Sequence, residues 1–376
     1  MNKRIVILRS NPVDPDSRVE KEAFALSKLG YSVTILCWDR SSNHSARVDK
    51  LHDSTIDIIR LGYKASYGEG FKNIIPYLRF QLAMRRWLKK YRNCYDLVHA
   101  CDFDTANFTI SVAKKFQKHF VFDVFDFICG DAKTLLQKIV KKRQFTIINK
   151  ADATIICSED RKNQIKGSHP KLLEIIHNSP PDYPLKSFES NESDKTKIVY
   201  VGILSNNRLL KEECEIIQKH KDWLFYVGGF GLHEQYFELL NNSCDNIFFL
   251  GKLPYEETLE LESKADIMLA IYDPSIENHI YAAPNKFYEA LMLGKPLIMI
   301  KGTGMSAEIE TNDIGVLIDY SSIGFEKGVE SLIKRKDEWP KMSKKMKELY
   351  KNKYSWSTMI DRLASLYNFV FDKDKQ

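Results

Sequence analysis

RIVILRSNPVDPDSRVEKEAFALSKLGYSVTILCW, residues 4–38, sets the fold. The first run, Arg4–Leu8, is apolar and breaks at Ser10-Asn11-Pro12. Arg18–Leu29 then carries Val19, Ala23, Leu26 and Leu29 at helical spacing, stops at Gly30, and leads into a second apolar run, Tyr31–Trp38. That is strand, loop, helix, strand. Outward from it the alternation continues, with strands predicted near Ile56–Leu61, Asp96–Ala100, Phe120–Asp123, Ala153–Cys157 and Glu174–His177. Near-continuous apolar strands separated by helices make a parallel sheet covered on both faces. A break follows at Asn178–Lys197, which opens Asn-Ser-Pro-Pro and later reads ESNESDK. Beyond it a second set begins, with strands predicted at Lys197–Gly202, Trp223–Val227, Asn246–Leu250, Asp266–Ile271, Pro296–Ile300 and Gly315–Ile318. The expected architecture is therefore α/β: two doubly wound, Rossmann-like domains facing a central cleft. Their expected bounds are 1–180 and 197–352, joined by a linker 181–196. A last segment, 353–376, holds an amphipathic helix, Trp356–Phe371, that packs back on the first domain. In doubly wound sheets, ligands bind outside the carboxyl ends of the strands.

The chain of 376 residues is 44% hydrophobic and 28% charged, with 17 Gly and 12 Pro, which excludes collagen-like, disordered and disulfide-dense classes. Its apolar runs, such as Pro296–Ile300, are strand-sized, against the ~18 residues that cross a bilayer. The start MNKRIVILRS has no signal-peptide pattern, and seven scattered cysteines lack any C-x-x-C pair. A reduced, cytoplasmic setting is expected. The nine histidines never pair at i, i+3 or i+4, so spacing reveals no zinc cluster and no metal is expected. Charge is unevenly spread. Residues 1–189 hold 32 Lys and Arg against 21 Asp and Glu, a net +11, whereas 190–376 hold 24 against 29, a net −5. Such a split points to one domain facing a polyanion, a nucleic acid or an anionic membrane.

The most informative chemistry lies in Tyr281-Ala-Ala-Pro-Asn-Lys-Phe-Tyr-Glu-Ala-Leu-Met-Leu-Gly-Lys-Pro-Leu-Ile, residues 281–298. Pro284 suits a first helical turn, and Gly294 with Pro296 ends the helix and launches a strand. A helix opening there, at Pro284 and Asn285, offers N–H groups to an anion, and Lys286 adds a positive charge. Glu289, three residues on and on the same face, can accept both hydroxyls of a ribose. The alternative is a surface helix with an ordinary Lys–Glu pair. Two glycine-bearing strand ends support an anion site. Val201-Gly202 precedes Arg208, which can reach a phosphate bidentately. Val227-Gly228-Gly229-Phe230-Gly231 would let a ligand approach the backbone. There is no G-x-x-x-x-G-K-[ST], which disfavours a P-loop enzyme. In the first half, His99-Ala-Cys-Asp102 and Asp123-Val-Phe-Asp126 end strands and point Asp102 and Asp126 at the same cleft. Such carboxylates take a proton or hold a sugar, or else cap the following helices. For Asp104 the cap is the reading.

These segments resemble the retaining nucleotide-sugar glycosyltransferases of the GT-B fold, close to glycosyltransferase family 4. The resemblance runs nearly end to end, through Asp16-Ser-Arg-Val-Glu-Lys-Glu-Ala, Tyr95–Asp102, Phe122–Asp126, Lys150–Ser158, His177-Asn178, Val201-Gly202 with Arg208, Phe249-Leu-Gly251 and Pro284–Glu289. It implies a nucleotide-diphosphate sugar in the C-terminal domain, with Arg208 and Lys286 at the diphosphate and Glu289 at the ribose. The acceptor, a glycan or lipid-linked molecule, falls to the N-terminal domain, and surface-polysaccharide synthesis in a bacterium is the implied setting. It also implies retention at the transferred sugar without a metal. Arg208, Lys286 and the helix N-terminus would then stabilise the charge growing on the leaving diphosphate. Two positions depart from the pattern. Where the family often has E-x₇-E, Tyr281 stands eight residues before Glu289. Phe125 stands where relatives often carry His, so no base role carries over, while Asp126 persists and His99 offers a nearby imidazole.

Phe71–Arg92 carries Lys72, Arg79, Arg85, Arg86, Lys89, Lys90 and Arg92 and no acid, interleaved with Phe71, Ile74, Tyr77, Leu78, Leu82 and Trp87. A basic amphipathic helix reads as membrane docking, here at the inner face of the cell membrane, or as a core helix with a solvated basic face. A dehydrogenase or sugar-nucleotide epimerase is disfavoured, because Arg9–Ser17 lacks the glycines a dinucleotide needs. A non-catalytic RNA- or membrane-binding module would use the basic face but leaves Pro284–Glu289 unexplained. No RNA-binding signature accompanies that face, so no nucleic-acid partner is expected.

Overall fold

The computed structural model describes residues 2–41, 43–44, 46–52, 54–66, 70–181 and 195–372. Two compact units result: residues 1–176 with 359–376, and residues 177–358. The expected linker 181–196 falls almost wholly outside the described residues.

In chain order the first unit runs β1 (Arg4–Arg9), α1 (Ser17–Lys28), β2 (Ser32–Asp39), β3 (Arg47–Lys50), β4 (Asp57–Gly62), α2 (Ile74–Lys90), β5 (Leu97–Cys101), α3 (Asp102–Lys115), β6 (His119–Val124), α4 (Leu135–Lys150), β7 (Ala153–Ile156), α5 (Arg161–Gln164) and β8 (Leu173–Ile175). Its eight-stranded sheet has the order β3-β4-β2-β1-β5-β6-β7-β8. Among the described residues every pairing in it is parallel except β3 with β4. The parallel core follows from sequence: Ile5–Leu8 and Leu97–Cys101 are buried throughout, as strands covered on both faces must be. The antiparallel edge was not expected. β3 reads RVDK, with Val48 exposed, and its charges blunt the sheet edge. α1 starts where the Asp16 carboxylate accepts the Val19 N–H, and it buries Val19, Ala23 and Leu26.

The second unit runs β9 (Thr196–Leu204), α6 (Leu210–Ile217), β10 (Trp223–Gly231), α7 (Glu234–Ser243), β11 (Ile247–Phe249), α8 (Tyr255–Lys264), β12 (Ile267–Ala270), α9 (Glu277–Ile280), α10 (Asn285–Leu293), β13 (Leu297–Ile300), α11 (Ser306–Asn312), β14 (Gly315–Ile318), α12 (Ser322–Lys334) and α13 (Trp339–Leu349). Its sheet, β11-β10-β9-β12-β13-β14, is parallel throughout. The last helix, α14 (Trp356–Asp372), joins the first unit from Met359 onward. There it buries Met359, Leu363, Leu366, Tyr367 and Val370. Arg362 donates to the Ile175 carbonyl at 2.9 Å.

α2 divides its apolar residues between two sides. Phe80, Met84 and Leu88 are buried, and Tyr77 and Trp87 are half-buried against the core. Ile74, Ile75, Leu78 and Leu82 stay exposed beside Arg79 and Arg86. The Phe71 side chain lies outside what the structure describes. No helix among the described residues is long and apolar enough to cross a membrane.

Candidate functional site

In the second unit the expected donor residues gather at the carboxyl end of the sheet. α10 begins after Pro284, which caps it in an extended conformation, and ends at Gly294 in the left-handed region with φ +70°. Helix geometry leaves the first N–H groups without partners inside the helix. Two contacts fix the segment around it: Asn178 donates to the Ala283 carbonyl at 2.7 Å, and His177 shares a 2.9 Å hydrogen bond with Tyr288. Asn285 is exposed at the helix start.

Lys286 leans back over β9. Its ammonium lies 4.7 Å from the centre of the Tyr200 ring, and a Cβ placed on Gly202 would stand 2.6 Å from it. Gly202 thus provides the space that the lysine head occupies. Burial works against the charge on Lys286, but Tyr272, Tyr200, Glu289 and Glu262 outweigh it and raise its pKa. The lysine stays protonated, ready for an anion. Arg208, just after β9, lies with its guanidinium 4.0 Å from the centre of the Tyr272 ring and donates to His279 Nε2 at 3.3 Å. His279 Nδ1 is 2.8 Å from the Asp273 carbonyl, which assigns the proton to Nδ1 and leaves Nε2 as the acceptor.

Glu289 is 4% exposed and accepts from the Tyr255 hydroxyl at 3.1 Å. Tyr255 and Glu262 stand seven residues apart on α8, two turns along one face. Burial pushes the Glu262 carboxyl well above its usual range, and Glu289 adds to this. Burial does the same to the Tyr255 hydroxyl, again with help from Glu289. Glu262 is thereby protonated and Tyr255 un-ionised beside Glu289. The room at Gly228 and Gly229 is taken by neighbours. A Cβ on Gly229 would stand 1.8 Å from the Gly202 carbonyl oxygen, and one on Gly228 3.1 Å from Leu253. These glycines let β10 lie close against β9.

In the first unit, Asp102 opens α3 with φ +68°. Its carboxylate accepts the N–H groups of Phe125 and Asp126, each at 3.1 Å, and pairs with Arg9. Burial pushes its carboxyl up to about 7 against the pull of Arg9. Asp102 therefore anchors the loop after β6. Asp126, on that loop, has a 64% exposed side chain held by buried Arg161 at 3.0 Å. Asp104 accepts the neighbouring Thr105 N–H at 2.9 Å. The Phe125 ring lies 4.4 Å from the Arg9 guanidinium and 4.8 Å from that of Arg18, both within cation–π range.

Two expectations are corrected here. His99 is not an accessible imidazole: it is fully buried, 2.5 Å from the Tyr367 hydroxyl, with Nε2 3.5 Å from Asp123 and 3.6 Å from Glu22. β5 points alternate side chains to opposite faces, and His99 faces inward under α14. Nor are potential metal ligands scattered, since His99, Cys101 and Asp123 bring donor atoms within 4.8 Å of one another. Arg18 fills that pocket, donating to both Asp123 oxygens and pairing with Glu22 at 3.2 Å. Burial works against the charge on Asp123, yet Arg18 and His99 hold its carboxyl below the usual range. Sequence reasoning also missed Tyr200, Tyr255, Glu262, Tyr272 and His279. Aromatic residues beside apolar strands read as core, and only the sequence distance between Glu262 and Glu289 hid their pairing.

Two parallel-stranded α/β units, one with a cationic pair and a buried carboxylate at its carboxyl edge, define a two-domain Rossmann-like enzyme of the GT-B class. Residues 18–179 match the family model Glycosyltransferase Family 4, and residues 183–356 match Glycosyl transferases group 1. The chain is a glycosyltransferase built from these two family domains. Among solved structures it resembles sucrose-phosphate synthase from Thermosynechococcus elongatus, with a TM-score of 0.75, 14% identity, and 99% of this chain and 100% of that one covered. HepE from Anabaena in complex with UDP and glucose gives 0.69, 12% identity, and coverage of 98% and 100%. A putative UDP-N-acetylglucosamine 2-epimerase from Listeria monocytogenes gives 0.67, 13% identity, and coverage of 99% and 98%. At these identities the likeness is one of fold. No curated protein sequence matches the chain significantly.

Proposed function

We propose that this glycosyltransferase moves a sugar from a nucleotide-diphosphate sugar to a hydroxyl of a glycan or lipid-linked acceptor, with retention and without a metal, in bacterial surface-polysaccharide synthesis. One observation carries the donor half: Gly202, Lys286 and Glu289 meet at one sheet end, and Arg208 stands just beyond the same strand β9. The UDP and glucose held by HepE on the same fold support a nucleotide-sugar donor. Lys286 and Arg208 bind the diphosphate and stabilise the charge it gains as the glycosidic bond breaks, and the first N–H groups of α10 add to them. Glu289, beside Tyr255 and Glu262, accepts the ribose hydroxyls. In the first unit Asp126 contacts the acceptor, and Asp102 positions it through the loop backbone. Two full cationic charges at the diphosphate do the work a divalent ion does elsewhere, which supports a metal-free reaction. The enzyme then works at the inner face of the membrane, with α2 against the lipid. Incubation with radiolabelled nucleotide sugars and a bacterial membrane extract, with EDTA present, tests this. Label should pass to the extract. Nucleotide binding without any transfer of label, or a strict need for Mg²⁺ or Mn²⁺, would overturn it.

A further inference from the structure

α3 lies between α2 and α4. Tyr77 of α2 meets Phe108 of α3 edge to face at 6.0 Å, and Arg143 of α4 donates to Asn107 of α3 at 2.7 Å. Each of the three helices follows a parallel strand and returns to the amino edge of the sheet before the next. Their N-termini therefore share the carboxyl edge, and the N-terminus in the middle is Asp102.

Both outer helices begin with an exposed apolar triplet at i, i+1 and i+4. On α2 these are Ile74, Ile75 and Leu78, 46%, 62% and 42% exposed. On α4 they are Leu135, Leu136 and Ile139, 76%, 72% and 56% exposed. The charge along the two helices has one sign. Residues 132–151 carry six Lys and Arg and no acid, and residues 71–92 carry seven and no acid. A buried core does not account for either triplet, and a soluble surface rarely gathers such residues.

We propose that the two triplets form one docking surface for an anionic bilayer, inserted on either side of Asp102. The inference rests on the lipid-linked acceptor proposed above and specifies its geometry. Apolar side chains enter the acyl boundary while the Lys and Arg beside them meet anionic headgroups. The acceptor keeps its lipid in the bilayer, and its headgroup rises between α2 and α4 to the loop of Asp126. A second copy of this chain is the competing occupant, but the seven and six Lys and Arg of the two segments repel their like, and the exposed acids beside them, Asp126 and Asp131, are already paired with Arg161 and Lys133.

Flotation with phosphatidylcholine vesicles, with and without phosphatidylglycerol, tests the surface. Wild type should float only with the anionic lipid and be released by salt. Leu135→Ser/Leu136→Ser/Ile139→Ser should cut the partition roughly tenfold or more, as should the matching α2 triple variant. Thermal shift with UDP should stay unchanged in both. Transfer to a detergent-dispersed acceptor should persist, while transfer to the same acceptor in vesicles falls. An α4 variant that floats like wild type overturns the proposal. So does a wild type that dimerises through the patch and a triple variant that is monomeric. If wild type floats and the variants do not, yet no acceptor is glycosylated in either form, docking stands and the transfer reading fails.

Discussion

Gly202→Ala displaces the Lys286 head of the donor site without removing its charge. The new Cβ would stand 2.6 Å from Lys286 Nζ and 3.3 Å from the Tyr200 hydroxyl. Heavy atoms need about 3.5 Å, so the ammonium retreats by about 1 Å. Gly202 sits at φ +159°, where alanine is strained, and the group that must move is the free end of a flexible side chain. Folding should lose ~1–3 kcal/mol, all of it backbone strain. Function in the folded enzyme should fall as well. At an effective dielectric near ~20, two unit charges attract by ~5.5 kcal/mol at ~3 Å and ~4 kcal/mol at ~4 Å. The transition state should therefore lose ~1 kcal/mol or a little more, roughly tenfold in rate. Because the diphosphate gains charge as the bond breaks, kcat should fall more than KM rises. Steady-state kinetics with the donor varied, alongside thermal denaturation, measures both. A folded Gly202→Ala with normal kcat would refute the placement of Lys286 at the diphosphate.

Arg208→Ala and Lys286→Ala should likewise depress kcat more than donor KM, and EDTA should leave wild-type turnover intact in the same assay. Asp102 should impose a rise in kcat/KM with pH centred near 7, since its carboxyl is pushed up to about 7 by burial and only the ionised form holds both loop N–H groups. Asp102→Asn should flatten that profile. Glu213 is fully buried with neither carboxyl oxygen hydrogen-bonded among the described residues, and burial raises it well above its usual range. Its folded pKa exceeds its unfolded one, so the stability it contributes is greatest below ~4.5 and declines as pH rises towards the folded value. Glu213→Leu should remove that slope and gain ~1–3 kcal/mol at neutral pH in urea denaturation.

The wound pattern was legible because parallel strands buried on both faces write themselves as apolar runs, as Ile5–Leu8 and Leu97–Cys101 do. Helix α10 was legible for the same local reason, its proline before and its glycine after. What stayed hidden depended on neighbours. β3 pairs through its backbone while its side chains, RVDK, read as a polar loop. Cys101 is opposite Asp123 and Ala100 opposite Phe122 across β5 and β6, a register that no periodicity within one strand reveals. That register, with Arg18 and Tyr367 brought in from helices 105 and 268 residues away from their partners, turned a presumed cleft histidine into a core one. In α2, the interleaved apolar residues showed an amphipathic helix, but not that Phe80, Met84 and Leu88 would be buried while Ile74, Leu78 and Leu82 stay uncovered.

The proposed donor site holds a nucleoside diphosphate between Lys286, Arg208 and Glu289 of the second unit. Isothermal titration of the full chain with UDP, GDP, dTDP and CMP tests it most directly. One diphosphate should bind wild type, and Glu289→Ala should weaken it by ~1.5–3 kcal/mol through the lost ribose hydrogen bonds, with an unchanged melting temperature. Binding of none of the four to wild type, or equal binding to wild type and a folded Glu289→Ala, would contradict the account.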